Sequence, residues 1–330
     1  MNPFLWILAC MVCVYADCPI PKISGEDRRA DPTRLRLLQF NVEWLFMTPC
    51  QDDGCPWSDA AEQQMHIDAI AEVLHELQPD MAHFAEVEGC DVLTEISSDA
   101  GLYPYLIQGK DTATHQNVGI LTKIDPLFPL NRTEERVSYP VPDSKCGYTG
   151  TPGTTGVSKH LIAEFAVNNR RITLIGGHLL AYPTDPMRCA EREAQAEVLQ
   201  TVIVEYIKKG YEVMVIGDLN DYDAEIPDAN GNKPISHVLQ TLKGSAGSHK
   251  GFYSLRSVGD RISQETRYSD WYDKDHSCAS SPKEFSQIDH ILVTPYLYDH
   301  LAKVFMYQGY EQSCVSVVSD HYPVVADFVF

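Results

Sequence analysis

Positive charge is scarce in this chain. Against 46 Asp and Glu it carries 26 Lys and Arg, a formal net charge of −20 over 330 residues, whereas a protein that held polyanions chiefly by counterion release would be basic. A substrate that is small or neutral overall, or one reached through a bound cation and a local basic patch, suits such a chain better. Any nucleic acid is expected to bind weakly and with strong dependence on salt and metal. No internal repeat stands out, and no apolar run after the first sixteen residues is long enough to span a bilayer.

Those first residues, Met1 to Ala16, contain no Asp, Glu, Lys or Arg. They are apolar over too short a distance to cross a membrane and end in Val14-Tyr15-Ala16, the small-residue pattern that a signal peptidase reads. A cleaved signal over 1–16 and a single domain over 17–330 are therefore expected. Removal of the signal leaves Cys18, Cys50, Cys55, Cys90, Cys146, Cys189, Cys278 and Cys314. That even set lacks the paired spacings of a zinc site and suits an oxidised, exported protein. Cys50 and Cys55 flank four residues and can close a small loop on each other. Asn131-Arg132-Thr133 is a glycan acceptor in that compartment.

Strand and helix patterns alternate along the rest. Leu35 to Val42 reads as a strand; Asp59-Ala60-Ala61-Glu62 has capping-box spacing, and Ile67, Ile70, Leu74 and Leu77 share one face of the helix that follows, until Pro79. Met81 to Val87 is the next strand, with weaker ones at Tyr103 to Gln108 and Asn117 to Thr122, and Pro126 to Thr155 reads as surface loop. Leu161 to Val167 and Arg171 to Gly177 flank Asn168-Asn169, a hairpin signal. Cys189 to Lys209 is helical, Glu212 to Ile216, Gln287 to Val293 and Pro323 to Val329 are strands, and Asp221 to Phe285 is mostly irregular, with one helix near Ile235 to Leu242. Strands joined both by hairpins and by helices predict mixed sheets covered by helices, an α/β fold.

Six clusters lie in or at the ends of the apolar runs: Asn41-Val42-Glu43, Glu86-Val87-Glu88, Gly177-His178-Leu179, Gly217-Asp218-Leu219-Asn220, Ile288-Asp289-His290 and Ser319-Asp320-His321. Singly, each has a plainer reading. Asp218, Asn220 and Asp221 form turns, Glu86 and Glu88 are alternate positions of an edge strand, and His178 is a core imidazole. Together they are the groups that phosphoester hydrolysis needs: carboxylate and amide oxygens for a hard cation, a base for water, and a donor for the leaving oxygen.

In their order from Leu35 to the C-terminus these motifs resemble the endonuclease/exonuclease/phosphatase superfamily, whose members include deoxyribonuclease I, apurinic endonucleases and neutral sphingomyelinases. The resemblance implies a four-layered α/β sandwich, two packed mixed β-sheets flanked by helices. It further implies that Asn41, Glu43, Glu86 and Asp320 contact a metal ion, magnesium with manganese or calcium as alternatives. His178 would contact phosphate, Asp218 would activate water, and Asn220 and Lys159 would hold phosphate oxygens. His321 would stabilise the transition state, with Asp289 fixing its ring; Ala85 stands where the family has Gln, leaving open which of Glu86 and Glu88 points inward. The expected protein is a secreted, monomeric phosphodiesterase acting on DNA or RNA. The alternatives are a sphingomyelinase-like enzyme that inserts Tyr268, Trp271 and Tyr272 into lipid, and a non-enzymatic binding protein on the same scaffold.

Overall fold

A computed structural model describes residue 18 and residues 22–48, 54–97, 101–110 and 113–330. The expected signal segment, and Cys50 with residues 51–53 of the loop proposed to close on Cys55, fall outside that range. In chain order the elements are β1 (Arg34–Leu45), α1 (Ala60–Leu77), β2 (Met81–Val87), α2 (Cys90–Ser97), β3 (Tyr103–Leu106), β4 (Asn117–Thr122), β5 (Val137–Tyr139) and β6 (Gly153–Thr155). They continue with β7 (Lys159–Val167), β8 (Arg170–His178), α3 (Pro186–Lys208), β9 (Glu212–Asp218), α4 (Val238–Leu242), β10 (Arg256–Ser257), β11 (Asp270–Trp271) and β12 (Phe285–Ser286). The last are β13 (Asp289–Val293), α5 (Pro295–Asp299), β14 (Leu301–Met306) and β15 (Val324–Val329).

Two mixed sheets face each other. The first has the order β14-β15-β1-β2-β4-β3 and the second β10-β13-β9-β8-β7. Within them β1 runs parallel to β2, connected through α1, and β8 runs parallel to β9, connected through α3. Leu35, Leu37 and Met81 meet Leu174, Met214, Ile216 and Ile291 between the sheets. On the outer face of the first sheet Leu38, Phe40 and Phe84 pack on Ile67, Ile70, Leu74 and Val92 of α1 and α2. On the outer face of the second, Ile175, Val213 and Val215 pack on Val198, Val202 and Leu239 of α3 and α4. The result is the expected four-layered α/β sandwich.

Local chemistry sets the boundaries. Asp59 caps α1 by accepting from the amides of Ala61 and Glu62, while Glu62 reaches back to the Ser58 amide rather than to Asp59, so the capping box closes one residue earlier than its spacing suggests. Gln78, left-handed at φ 47°, ends the helix. The β7–β8 hairpin turns through Asn168 and Asn169, both with positive φ (46° and 60°), as a two-residue turn of that twist demands. Helix α3 starts at Pro186, capped by Asp185, earlier than its apolar periodicity shows, because the first turn carries no core side chain.

The stretch read as loop between Pro126 and Thr155 contains the short β5–β6 pair and is tied to α3 by the Cys146–Cys189 disulfide. Cys18–Cys90 and Cys278–Cys314 are also bonded. Among the described residues no helix is long and apolar enough to cross a membrane.

Candidate active site

Strand alternation carries polar side chains to one place. On β1 the inner-face positions Leu35 and Leu37 are followed by Gln39 and Asn41; on β9, Met214 and Ile216 are followed by Asp218; on β13, Asp289 precedes Ile291. The inter-sheet core thus gives way, at the strand ends, to amides, carboxylates and imidazoles. Strict alternation on β2 would send Glu86 to the helix side with Ala82 and Phe84. Instead the registers of β1 with β2 and of β2 with β4 both slip at this level. Glu43, Trp44 and Glu86 take left-handed backbone at φ 44°, 55° and 66°, a cost that persists only where surroundings enforce it. The bulge turns Glu86 inward, where it accepts from Asn41 Nδ2 (3.1 Å), the Trp44 amide (3.2 Å) and Gln116 Nε2 (2.7 Å). Glu88 points away, accepting from the amides of Met47 and Thr48.

Asn41 joins the sheets, donating also to Asp218 Oδ2 at 3.0 Å. Asp218 Oδ1 accepts from the Asn220 amide, and Asn220, at φ 50°, donates its side-chain amide to the Leu179 carbonyl. His178 Nε2 lies 3.6 Å from Asp218 Oδ2 and 3.9 Å from Glu86 Oε1, wider than hydrogen bonds. Burial, reinforced by the charges of Lys159 and His321, holds the His178 pKa well below its ordinary value. Lys159, paired with His178 in the β7–β8 register, donates to Gln116 Oε1 at 2.8 Å. Burial and the Asp289 charge hold Asp218 well above the usual carboxylate range.

His321 sits opposite. Its Nδ1 donates to Asp289 Oδ2 at 2.7 Å, and its Nε2 is 3.7 Å from Asp270 and 3.8 Å from Asp320. Burial opposes a charge on this ring, but Asp289, Asp320 and Asp218 outweigh it and the pKa rises well above ordinary. Ser319 Oγ bonds the Asn41 carbonyl, locking this turn to β1.

The sequence reading missed what lies behind Asp289. Ser269 Oγ donates to Asp289 Oδ2 (2.8 Å), Gln39 Nε2 donates to Asp289 Oδ1 (3.0 Å), and His83 Nδ1 donates to Gln39 Oε1 (2.6 Å). Burial lowers the His83 pKa to about 3, so its ring is neutral. A Cβ on Gly176 would fall 2.4 Å from the His83 ring, so glycine there admits the imidazole between the sheets. The signal was present in the pattern: Gln39 and His83 are polar residues at inner-face positions of otherwise apolar strands. Asp270 and Gln116 lay in segments with no motif to mark them.

Glu43, Glu86 and Asp320 supply oxygen donors without a Lys or Arg ion partner among the described residues. Glu43 accepts from the Asp320 amide, and its pKa is raised well above ordinary by burial and by the Asp320 and Glu86 charges; Asp320 is raised to about 7 by burial and the neighbouring carboxylates. Mutually repelling carboxylates with oxygen-only chemistry fit a hard divalent cation. Asp218, Asp289 and His321 bring their ligand atoms within 4.8 Å of one another, a tighter set, but the Asp289–His321 hydrogen bond already engages it.

Glu86, His178, Asp218, Asn220, Asp270 and His321 line a cavity of about 630 Å³. Of the remaining expected residues, Asn131 is exposed with its backbone bridged to Ile162, and Asp221 serves as the partner of buried Arg192 at 3.1 Å. The aromatic trio on which the lipid-cleaving alternative depends is divided. Trp271 is buried and Tyr268 stacks on Phe285, leaving Tyr272 exposed.

No family model and no curated protein matches the chain. Solved structures do match its fold. An AP endonuclease from Archaeoglobus fulgidus aligns over 89% of this chain and 99% of its own at 14% identity and TM-score 0.58. The 3'-5' exonuclease NExo from Neisseria meningitidis aligns over 90% and 100% at 16% identity and TM-score 0.57. D. rerio TDP2, in complex with single-strand DNA product, aligns over 90% and 99% at 15% identity and TM-score 0.52. The chain therefore has the fold of these enzymes.

Proposed function

We propose that the chain is a secreted, magnesium-dependent phosphodiesterase of the endonuclease/exonuclease/phosphatase superfamily, a nuclease acting on DNA or RNA. One observation carries the reading. Asp218 from one sheet and His321 beside the other face a single cavity, held by Asn41 and Asp289, with the carboxylates of Glu43, Glu86 and Asp320 alongside. The names of the fold relatives, two nucleases and a protein bound to DNA product, point to nucleic acid. Three disulfides among the described residues and an exposed Asn131 sequon suit export and glycosylation.

In this reading Glu86, Glu43 and Asp320, with Asn41 beside them, hold the cation, which when bound neutralises charge on the phosphoryl oxygens. Asp218, whose raised pKa makes it a better base than a solvated carboxylate, takes a proton from the attacking water as the new P–O bond forms. Cationic His321 stabilises the pentavalent phosphorus and passes its Nε2 proton to the leaving oxygen as the old P–O bond breaks. Asp289 keeps that proton on the pocket side by holding Nδ1. His178 stays neutral and donates a hydrogen bond to a phosphoryl oxygen, with Asn220 and Lys159 on the same phosphate.

Purified mature protein should cut plasmid DNA or RNA and an activated diester with magnesium, and lose all activity on chelation. Full activity in Asp218→Asn would refute the mechanism. Cleavage of sphingomyelin vesicles alone would move the substrate to lipid.

A further inference from the structure

The pocket that exposes the reacting groups has a second set of residues on its rim. Lys233, Lys274 and Lys283 all line it, as do Tyr182 and Tyr272. In a chain of net charge −20, none of these lysine ammonium groups makes an ion pair or hydrogen bond to any described residue. Glu284, which lies next to Lys283 and also lines the pocket, makes no ion pair with them. Its carboxylate is occupied by Trp271 Nε1 (3.3 Å), the Lys274 amide (3.1 Å) and the Ser281 amide (3.0 Å). The three lysine-bearing segments are bound together. Asn230, three residues from Lys233, donates to the carbonyls of Pro282 and Phe285, so the positive charges share one wall.

Tyr182 and Tyr272 are the opposite of core aromatics, at 61% and 64% exposed. Tyr182 also has left-handed backbone, φ 67°, unusual for a bulky residue. A fully buried guanidinium enforces it. Arg192 donates to the carbonyls of Leu180 (2.8 Å), Tyr182 (3.3 Å) and Pro183 (3.0 Å) while paired with Asp221. The Arg188 guanidinium lies 4.8 Å from the Tyr182 ring, and the ring remains mostly open to solvent. The interior thus holds this loop rigid with an aromatic ring facing outward at the mouth of a reactive pocket.

We infer that this rim is a subsite for single-stranded nucleic acid, in which Tyr182 and Tyr272 stack unpaired bases and Lys233, Lys274 and Lys283 hold phosphates flanking the one to be cleaved. The inference rests on the proposed phosphodiesterase reading and narrows its substrate. Stacking needs a free base face, which a paired and stacked duplex does not offer. A polyphosphorylated sugar would use the lysines and leave both tyrosines without a role. The local charge also reconciles an acidic protein with a polyanionic ligand, since the patch sits where the strand must enter.

The test is binding rather than turnover, so that it stands even if hydrolysis fails. In the Asp218→Asn protein with magnesium, fluorescence anisotropy measures affinity for a labelled single-stranded oligonucleotide, the same strand with abasic sugars, its duplex, and an inositol polyphosphate. The intact strand should bind most tightly. Tyr182→Ala and Tyr272→Ala should each weaken it about tenfold, and Tyr182→Phe and Tyr272→Phe should restore it. Replacing the three lysines by Ser should reduce the slope of log affinity against log salt by about two. Equal affinity for intact and abasic strands, tighter binding of duplex or inositol polyphosphate, or alanine variants that bind like the parent would each overturn the subsite. Absence of hydrolysis in wild type with intact strand binding would overturn the phosphodiesterase reading alone.

Discussion

His178 and His321 line the same pocket and are equally hidden, 7% and 6% exposed, yet they are held in opposite charge states. Burial disfavours the cation in both. At His178 the neighbouring charges of Lys159 and His321 add to that penalty and the ring is neutral; at His321 the carboxylates of Asp289, Asp320 and Asp218 reverse it and the ring is an imidazolium. The difference teaches that residue type does not set the charge of an imidazole in this pocket. Where each imidazole sits in the fold, and therefore which charges it faces, does so.

The comparison breaks first if the protonated ring is removed. His321→Asn should lower kcat by about 10⁴-fold with little change in KM, measured on the activated diester, and a small effect would show that His321 is not the proton donor. Asp289→Asn should cost about 10²-fold, because His321 then loses both its charge and its orientation and comes to resemble His178. A kcat equal to wild type would mean that the hydrogen bond is merely structural.

Smaller effects should come from the buried amide behind that pair. Gln39→Leu removes one hydrogen bond to Asp289 and the acceptor of His83, and should reduce kcat about tenfold with KM unchanged. Partial recovery in Gln39→Asn would identify positioning as the cause. If Gln39→Leu changes only the unfolding midpoint, Gln39 supports packing and not the reaction.

The smallest expected effect, of the order of 1 kcal/mol, lies in metal-free stability against pH. The folded pKa of His178 is below its unfolded value near 6.5, so below that pH the unfolded chain takes up a proton that the folded chain refuses, and stability falls with acid. His321 has the reverse sign. Its raised folded pKa contributes stability that is complete below about 6.5 and is lost as pH rises through the folded value. In urea unfolding with chelator, His178→Gln should flatten the acid flank and His321→Gln the alkaline flank. Both variants altering the same flank would contradict the assignment.

Much of the architecture was legible because it depends on periodicity. The apolar face of α1, the stop at Pro79 and the Asn168-Asn169 turn each follow from local chemistry, and the structure places α1, β4 and the β7–β8 hairpin close to the expected bounds. Helix α2 and strand β14 were missed: α2 is only eight residues long, and β14 is a half-exposed edge strand without clear alternation. The choice between Glu86 and Glu88 was hidden for a different reason. Two-residue alternation cannot show a bulge, and the bulge is what turns Glu86 inward.

By itself, the sequence determined which residue types end the strands, and hence that amides, carboxylates and imidazoles would replace the apolar core at one edge of the sandwich. It also determined the mixed sheets, since hydrophobic period and turn residues are local properties. Only the tertiary structure decided which imidazole is charged, that Gln39 and His83 stand behind Asp289, and that lysines and tyrosines from segments far apart in the chain rim one cavity. Those outcomes depend on distances between chain-remote groups and on how far burial removes them from water, and neither is written in any local pattern.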